Sequence, residues 1–222
     1  MPPSPSLAAS RPLPGLMRLA FRRSEFGLLV ALAAIIFFFA LASDTFLTVR
    51  NMTNVLGQAS LALTAGIGVA IVFISGEVDV SVGSLVAAIA IPLITIMNAT
   101  ESLPLGIAGA LVLGLLVGAI NGYLVAYAGI NSLIATLGTL FILRGGVYLY
   151  TGQTAIPDDV MLESFFQLGN GRLFGVLPIP AAIAFVLLLV FAYVLRHRTF
   201  GRQVYAVGGN SEVARLAGYD VK

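Results

Sequence analysis

Residues 102–143 pass without a single Asp, Glu, Lys or Arg. As one helix this run would extend about 63 Å, about twice the ~30 Å hydrocarbon core of a bilayer. It therefore has to turn once. The turn falls at Tyr127-Ala128-Gly129-Ile130-Asn131, where Gly129 and Asn131 are turn residues, leaving helices at about 105–126 and 132–150. The other charge-poor runs give spans at 26–43, at 51–76 (best used from Leu56), at 80–100 with Pro92 inside, and at 173–195, opened by Pro178 and Pro180. The expected fold is an all-α, polytopic transmembrane helix bundle of about six spans.

Composition agrees. Apolar residues make up 59% of the chain and charged residues 10%, against about 25% charged in a soluble domain. Such a chain cannot cover itself with a water-facing surface. A soluble enzyme, a disordered protein and a nucleic-acid-binding module are excluded. With no cysteine there is no disulfide framework and no thiolate chemistry, and the lone His197 cannot build a multi-histidine metal site. Lys222 is the only lysine, so no Walker A loop is present to reach nucleotide phosphates. No catalytic residue, metal or cofactor is assigned to the chain.

Charge sets the expected orientation. Arg11, Arg18, Arg22 and Arg23 precede the first span, and Arg196, Arg198 and Arg202 follow the sixth. Both clusters belong on the cytoplasmic side by the positive-inside rule, as an even number of spans requires. The loop at 151–177, with Asp158, Asp159 and Glu163 against Arg172, falls outside. Arg50 and the Glu77/Asp79 pair run against the trend. Residues 1–23 form a cytoplasmic tail, disordered where Pro and Ser dominate; residues 24–222 form the membrane domain. The first span has a signal-peptide-like flank, but five further spans commit the chain to the bilayer and it is kept as a helix.

Three interior features stand out. Gly114, Gly118 and Gly122 lie four apart, so they share one helix face and allow close helix packing or line a path; Asn121 could face the same groove. The break Ser75-Gly76-Glu77-Val78-Asp79-Val80-Ser81-Val82-Gly83-Ser84 places two carboxylates and three hydroxyls between apolar runs. Ionisable groups at membrane depth mark function by default, whereas Asp79 or Ser81 could simply cap the following helix. Alternation would set Glu77, Asp79 and Ser81 on one side of an extended link. Arg144 either snorkels to the interface or neutralises Glu77 or Asp79. The last feature is Gly208-Gly209-Asn210-Ser211-Glu212-Val213-Ala214-Arg215-Leu216-Ala217-Gly218. Asn210 is a good N-cap and Gly218 a good stop. The two turns between them, with Val213, Leu216 and Ala217 on one side, are too short to stand alone in water. They pack on the bundle or on a partner.

The stretches around 74–84, Asn121-Gly122, Ile134-Ala135-Thr136-Leu137-Gly138-Thr139, and Thr199-Phe200-Gly201-Arg202 through Gly218 together resemble the permease subunits of bacterial ABC importers for simple sugars, of the ribose, xylose and autoinducer-2 type. The wider superfamily includes branched-chain amino-acid permeases. The resemblance implies a non-enzymatic, multi-pass subunit of the bacterial cytoplasmic membrane, with the N-terminus and residues 196–222 in the cytoplasm. It implies a second permease subunit, a cytoplasmic ATPase that binds the ATP, and a periplasmic sugar-binding protein. It also implies a cytoplasmic coupling helix carried by Gly208, Gly209, Asn210, Ser211, Glu212, Val213, Ala214, Leu216 and Gly218, and a substrate pathway near Glu77, Asp79, Ser81, Asn121 and Thr136. Departures are Glu77 for the usual Gly, Val78 and Val80 for Ile and Leu, Val213 for Ala, and Tyr219 for Ile. Family members run to about ten helices, so a fragment is expected. Branched-chain amino acids or nucleosides as cargo, or a passive channel, are the alternatives.

Overall fold

The computed structural model describes residues 16–152, 154 and 162–222. The tail up to residue 14 and the acidic pair Asp158 and Asp159 lie outside these residues. The element order is α1 (Leu16–Ala42), α2 (Val49–Ile74), α3 (Val82–Thr100), α4 (Leu103–Ala126), α5 (Ser132–Thr151), α6 (Glu163–Asn170), β1 (Arg172–Leu173), β2 (Leu177–Pro178), α7 (Ile179–His197), α8 (Thr199–Gly209) and α9 (Ser211–Leu216). Among the described residues, α2, α3, α4, α5 and α7 are long and apolar enough to cross a bilayer, and α1 carries a shorter apolar stretch, Gly27–Ala42. These are the six expected spans.

The long charge-free run turns where its residues demand. α4 ends at Ala126, Gly129 adopts φ +69°, and Asn131 Oδ1 accepts the N–H groups of Leu133 and Ile134 at 3.0 and 3.4 Å. Asn131 is thus the N-cap of α5, satisfying two amides that no helical carbonyl can reach. The sixth span differs from expectation at its start. Residues 172–178 form a short antiparallel hairpin with Leu173 opposite Leu177. Phe174 and Gly175 both take positive φ, 53° and 75°, as the tight turns of hairpins require. The helix begins only at Ile179, with Pro178 at its cap position and Pro180 in its first turn, where a missing N–H costs nothing. Neither this hairpin nor α6 nor α8 was expected from the sequence.

The chain divides into the units Met1–Met52 and Thr53–Lys222. In the first, the turn after α1 is closed by Ser43 N–H donating to Phe39 O at 3.1 Å, by stacking of Phe39 on Phe46 at 5.6 Å, and by Asn51 Nδ2 donating to Phe46 O at 2.8 Å.

Packing in the second unit is inverted relative to a soluble domain. Ala88, Ala135, Ala181, Ala184 and Ala214 are buried, while Leu111, Leu115, Phe141, Ile142 and Leu149 are exposed. Lipid tails are as apolar as Leu, so helices associate through small residues that let backbones approach. α3 and α4 make the most extensive pair, and α5 packs on both. A Cβ on Gly106 would lie 2.6 Å from Leu93 O and 3.3 Å from Met97 Cβ, and one on Gly109 would strike Ile96 Cδ1. Within this chain the close approach is made at Gly106 and Gly109. A Cβ on Gly114, Gly118 or Gly122 meets nothing within 4 Å inside the chain. The buried stripe of α4 runs through Gly106, Val117 and Asn121, and the three glycines lie just beside it on the same helix.

Gly106→Val should therefore destabilise the detergent-solubilised monomer by about 1–3 kcal/mol through overpacking. Gly118→Val should change it by less than about 0.5 kcal/mol. Thermal unfolding of the two variants checks the contrast, and equal effects would contradict this packing.

Candidate functional site

The break between α2 and α3 is built by a helix stop, an unwound link and a buried polar chain. Gly76 at φ +90° ends α2: its N–H donates to Phe73 O at 3.0 Å and that of Glu77 to Val72 O at 3.1 Å. This is a Schellman motif, which a residue with a Cβ enters only with strain. Residues 77–80 are then neither helix nor strand. Their backbone groups still need partners in an apolar setting, and α5 supplies them. Ser132 Oγ accepts the Val78 N–H at 3.2 Å, and Thr136 Oγ1 accepts that of Val80 at 3.3 Å. The Thr136 hydroxyl also faces Ser132 O at 2.8 Å and Val78 O at 3.4 Å. Ser132 and Thr136 are one helical turn apart, so one face of α5 serves as the link's hydrogen-bonding edge.

A second set of bonds ties the link to α4. Thr139 Oγ1 donates to Asn121 Oδ1 at 2.6 Å, Asn121 Nδ2 donates to Ser81 Oγ at 3.2 Å, and Ser81 Oγ donates to Asp79 Oδ1 at 2.6 Å. The Ser81 N–H reaches the same carboxylate oxygen at 2.7 Å. All three side-chain donors point toward Asp79, so their dipoles reinforce one another. Ser81 is completely buried, and Asn121, Ser132 and Thr136 are buried with it. Both sequence readings of Asp79 touch this geometry: it holds the N–H just before α3, and it anchors a network across α4 and α5. Ser81 itself makes no side-chain cap.

Two sequence expectations need correction, and one open alternative is narrowed. Glu77, Asp79 and Ser81 do not share one side: Glu77 is exposed, Asp79 half-buried and Ser81 enclosed, because Ser81 already has helical φ and ψ and the alternation stops there. Asn121 does not join the Gly118 groove but points at Ser81. Arg144 stands over the Tyr148 ring at 5.9 Å rather than over Glu77 or Asp79.

Two cavities are lined by the residues at the two ends of the link. One, of about 440 Å³, opens between α3 and α5 and is lined by Gly83, Ser84, Leu140, Arg144 and Tyr148. The other, of about 720 Å³, is lined by Ser75, Gly76, Glu77, Gln203, Gly208 and Asn210, among others. Ser84 was read only as one of the break's hydroxyls and Tyr148 was not singled out; their place around Arg144 in three dimensions connects them. Glycine decides the second cavity's wall. A Cβ on Gly208 would overlap the Ile74 carbonyl oxygen, and a Cβ on Gly76 would lie 3.6 Å from Gly208 Cα. Gly208 thus seats α8 directly on the end of α2, while Gly209 meets nothing within 4 Å.

α9 follows at once. Asn210 Oδ1 accepts the N–H groups of Glu212 and Val213, both at 3.0 Å, and Gly218 at φ +85° closes a second Schellman motif, with Tyr219 N–H donating to Ala214 O at 3.0 Å. Ala214 is its buried contact, whereas Val213 is 60% and Leu216 81% exposed. Ala214 faces the chain, and Val213 and Leu216 of the expected apolar side face out rather than onto the bundle. Arg215 pairs with Glu212 at 3.5 Å on the surface, a contact worth little.

Removing the hub of the buried chain should cost most. Asn121→Leu leaves the Thr139 and Ser81 hydroxyls short of a partner and should lower stability in detergent by about 1–3 kcal/mol. Asp79→Asn keeps the acceptor oxygen and should cost less. Thermal unfolding of both variants measures this; Asn121→Leu unfolding like wild type would contradict the network.

A family model for the permease component of branched-chain amino acid transport systems matches residues 51–222. The chain is 38% identical to the L-arabinose ABC transporter permease protein of Azospirillum brasilense, over 99% of this chain and 63% of that one. It is 34% identical to the ribose import permease protein of Escherichia coli, over 87% of this chain and 60% of that one. It is also 36% identical to an autoinducer 2 import system permease protein of Escherichia coli, over 86% of this chain and 56% of that one. The chain thus spans about three fifths of the length of these relatives. No solved structure matches it. The chain, with its matched region running from the start of α2 through α9, belongs to the family of branched-chain amino acid transport system permease components.

Proposed function

We propose that this chain is the membrane-spanning permease subunit of an ATP-driven importer of simple sugars, with the residue 75–84 link as its gate and α8–α9 as the lever that moves it. The observation that carries this reading is the Gly208 contact. α8 rests on the last carbonyl of α2 with no room for a side chain, so a displacement of α8–α9 is passed to Ser75 and Gly76 without slack. α9, capped at both ends and with Val213 and Leu216 turned outward, offers a small rigid apolar knob to a cytoplasmic ATPase. Gly208, Gly209, Asn210, Ser211 and Glu212 shape its entry, and Gly218 fixes its exit.

The two cavities on either side of the link suit alternating access. In the resting arrangement the link is held by Ser132, Thr136 and the chain from Asn121 through Ser81 to Asp79. Nucleotide binding in the partner ATPase has to favour a second arrangement by differential contacts, and α9 is where they are made. Ser84, Arg144 and Tyr148 give the 440 Å³ cavity hydrogen-bonding groups and an aromatic ring, which fit a small polyol. The named cargoes of the relatives, arabinose and ribose, are of that class. A second permease subunit and a periplasmic binding protein complete the assembly, with the N-terminus and residues 196–222 facing the cytoplasm as the arginine clusters require.

Two variants separate docking from transmission. Leu216→Asp should release the ATPase during mild-detergent purification and lower sugar uptake more than tenfold while the chain stays in the membrane. Gly208→Val should retain the ATPase yet lose uptake to a similar extent. Normal uptake in both variants would overturn the lever, and an ATPase that never co-purifies with wild type would favour a passive facilitator.

A further inference from the structure

A groove of about 840 Å³ runs between α2 and α7. It lies away from the polar link, which is built by α3, α4 and α5. Its walls are Ile67 and Ala70 from α2 and Leu188 and Phe191 from α7, and at Gly66 a Cβ would meet nothing within 4 Å, so the floor is open. At one end the lining changes character and becomes Arg196, Arg202 and Tyr205. Arg196 closes α7, and Arg202 and Tyr205 are one turn apart on α8. α8 is folded against the end of α7 because Gly201 lies on the Leu195 carbonyl, where a Cβ would overlap it. The two guanidiniums are therefore brought to the mouth of one apolar slot. Among the described residues neither has a carboxylate within 4.0 Å, the one ion pair being Arg215–Glu212, while neighbouring Arg198 is spent on the Tyr193 ring at 5.5 Å.

We propose that this groove is a binding site for an anionic phospholipid, with an acyl chain along Ile67, Ala70, Leu188 and Phe191 and the headgroup phosphate on Arg196 and Arg202. An acyl chain has no hydrogen bonds to satisfy and suits an all-carbon wall, while a phosphate diester offers oxygens in the planar geometry that arginine matches. Basic pockets between transmembrane helices hold anionic headgroups by this combination. A zwitterionic headgroup brings its own cation beside the phosphate and gains less. A protein helix laid in the slot would leave both guanidiniums without an anion unless it supplied a carboxylate at that depth. The site uses neither the link nor α9, although Arg202 and Tyr205 lie on α8, which the transport reading also engages.

Photoactivatable phosphatidylglycerol, with a diazirine in its acyl chain, tests this on the full protein with its native partner subunits, reconstituted in phosphatidylcholine liposomes. Mass spectrometry should place the label on Leu188, Phe191 and the 63–70 stretch. The double variant Arg196→Gln, Arg202→Gln should reduce that labelling roughly tenfold or more, as two phosphate contacts are lost. Ala192→Trp, which fills the groove and leaves both arginines, should reduce it as well. The equivalent phosphatidylcholine probe should label these residues no more than it labels the exposed Leu28 and Phe37 of α1, which report bulk lipid. Both arginines are exposed, so the double variant should keep the wild-type unfolding temperature. Equal labelling by the two probes, labelling unchanged in the arginine variant, or protection of the groove by a cross-linked protein helix would each overturn the site.

Discussion

An unwound stretch of backbone inside an apolar bundle can exist only if other groups satisfy its N–H and C=O groups. Here α5 does so with two hydroxyls. Ser132 and Thr136 take the amides of Val78 and Val80, and without them the chain between α2 and α3 would have to stay helical or leave the bundle. The rest of the middle of the chain follows from that pairing. Asp79 turns inward, Ser81 is sealed against Asn121, and α4 is drawn to the same point as α5.

The second constraint is the absence of a hydrophobic drive between helices. Buried positions are filled mainly by Ala, Gly and small polar residues, with a few larger side chains such as Met97, Ile67 and Val117, while most large aliphatic side chains point outward. Glycine acts here by admitting neighbouring backbone. Gly106 admits Leu93 O, Gly201 admits Leu195 O, and Gly208 admits Ile74 O. The last two place α8 in one fixed relation to both α7 and α2. This converts a short amphipathic segment into a stiff continuation of the bundle, and through Asn210 it sets the direction in which α9 leaves.

Hydrophobic runs made the spans legible, because a helix in lipid needs a length and a lack of charge, and both can be counted. Helix ends were legible for the same local reason: Asn131 as a turn residue, Pro178 as an opener, Asn210 as a cap and Gly218 as a stop all act through neighbours in sequence. α8 was not legible, since glycines at Gly201, Gly208 and Gly209 weaken any helical signal; close contact with α7 and α2 makes Gly201 and Gly208 compatible with a helix there. The hairpin at 172–178 was missed because a two-residue strand has no period to detect, although Phe174-Gly175 was a turn signal. Within the site, Asp79, Ser81, Asn121 and Thr136 were each singled out, and all four meet around the link. Their directions could not be read, because Asn121 could have turned to the Gly118 face equally well. Ser132 and Tyr148 were not selected, and Ser84 and Thr139 were quoted only within longer stretches: a single hydroxyl or phenol in an apolar helix carries no role until its partner across the bundle is known.

On the proposed reading, the link closes one cavity from the other and shifts when a partner ATPase is loaded. The chain has no cysteine, so single cysteines at Ser84 and at Glu77 report the two cavities directly. Their labelling by a membrane-impermeant maleimide, in inside-out and right-side-out vesicles, should be measured with and without a trapped nucleotide. The account predicts that Ser84→Cys is reached from one face at rest and from the opposite face when nucleotide is trapped, with Glu77→Cys changing in step. Labelling of Ser84→Cys from the same face in both conditions would contradict it.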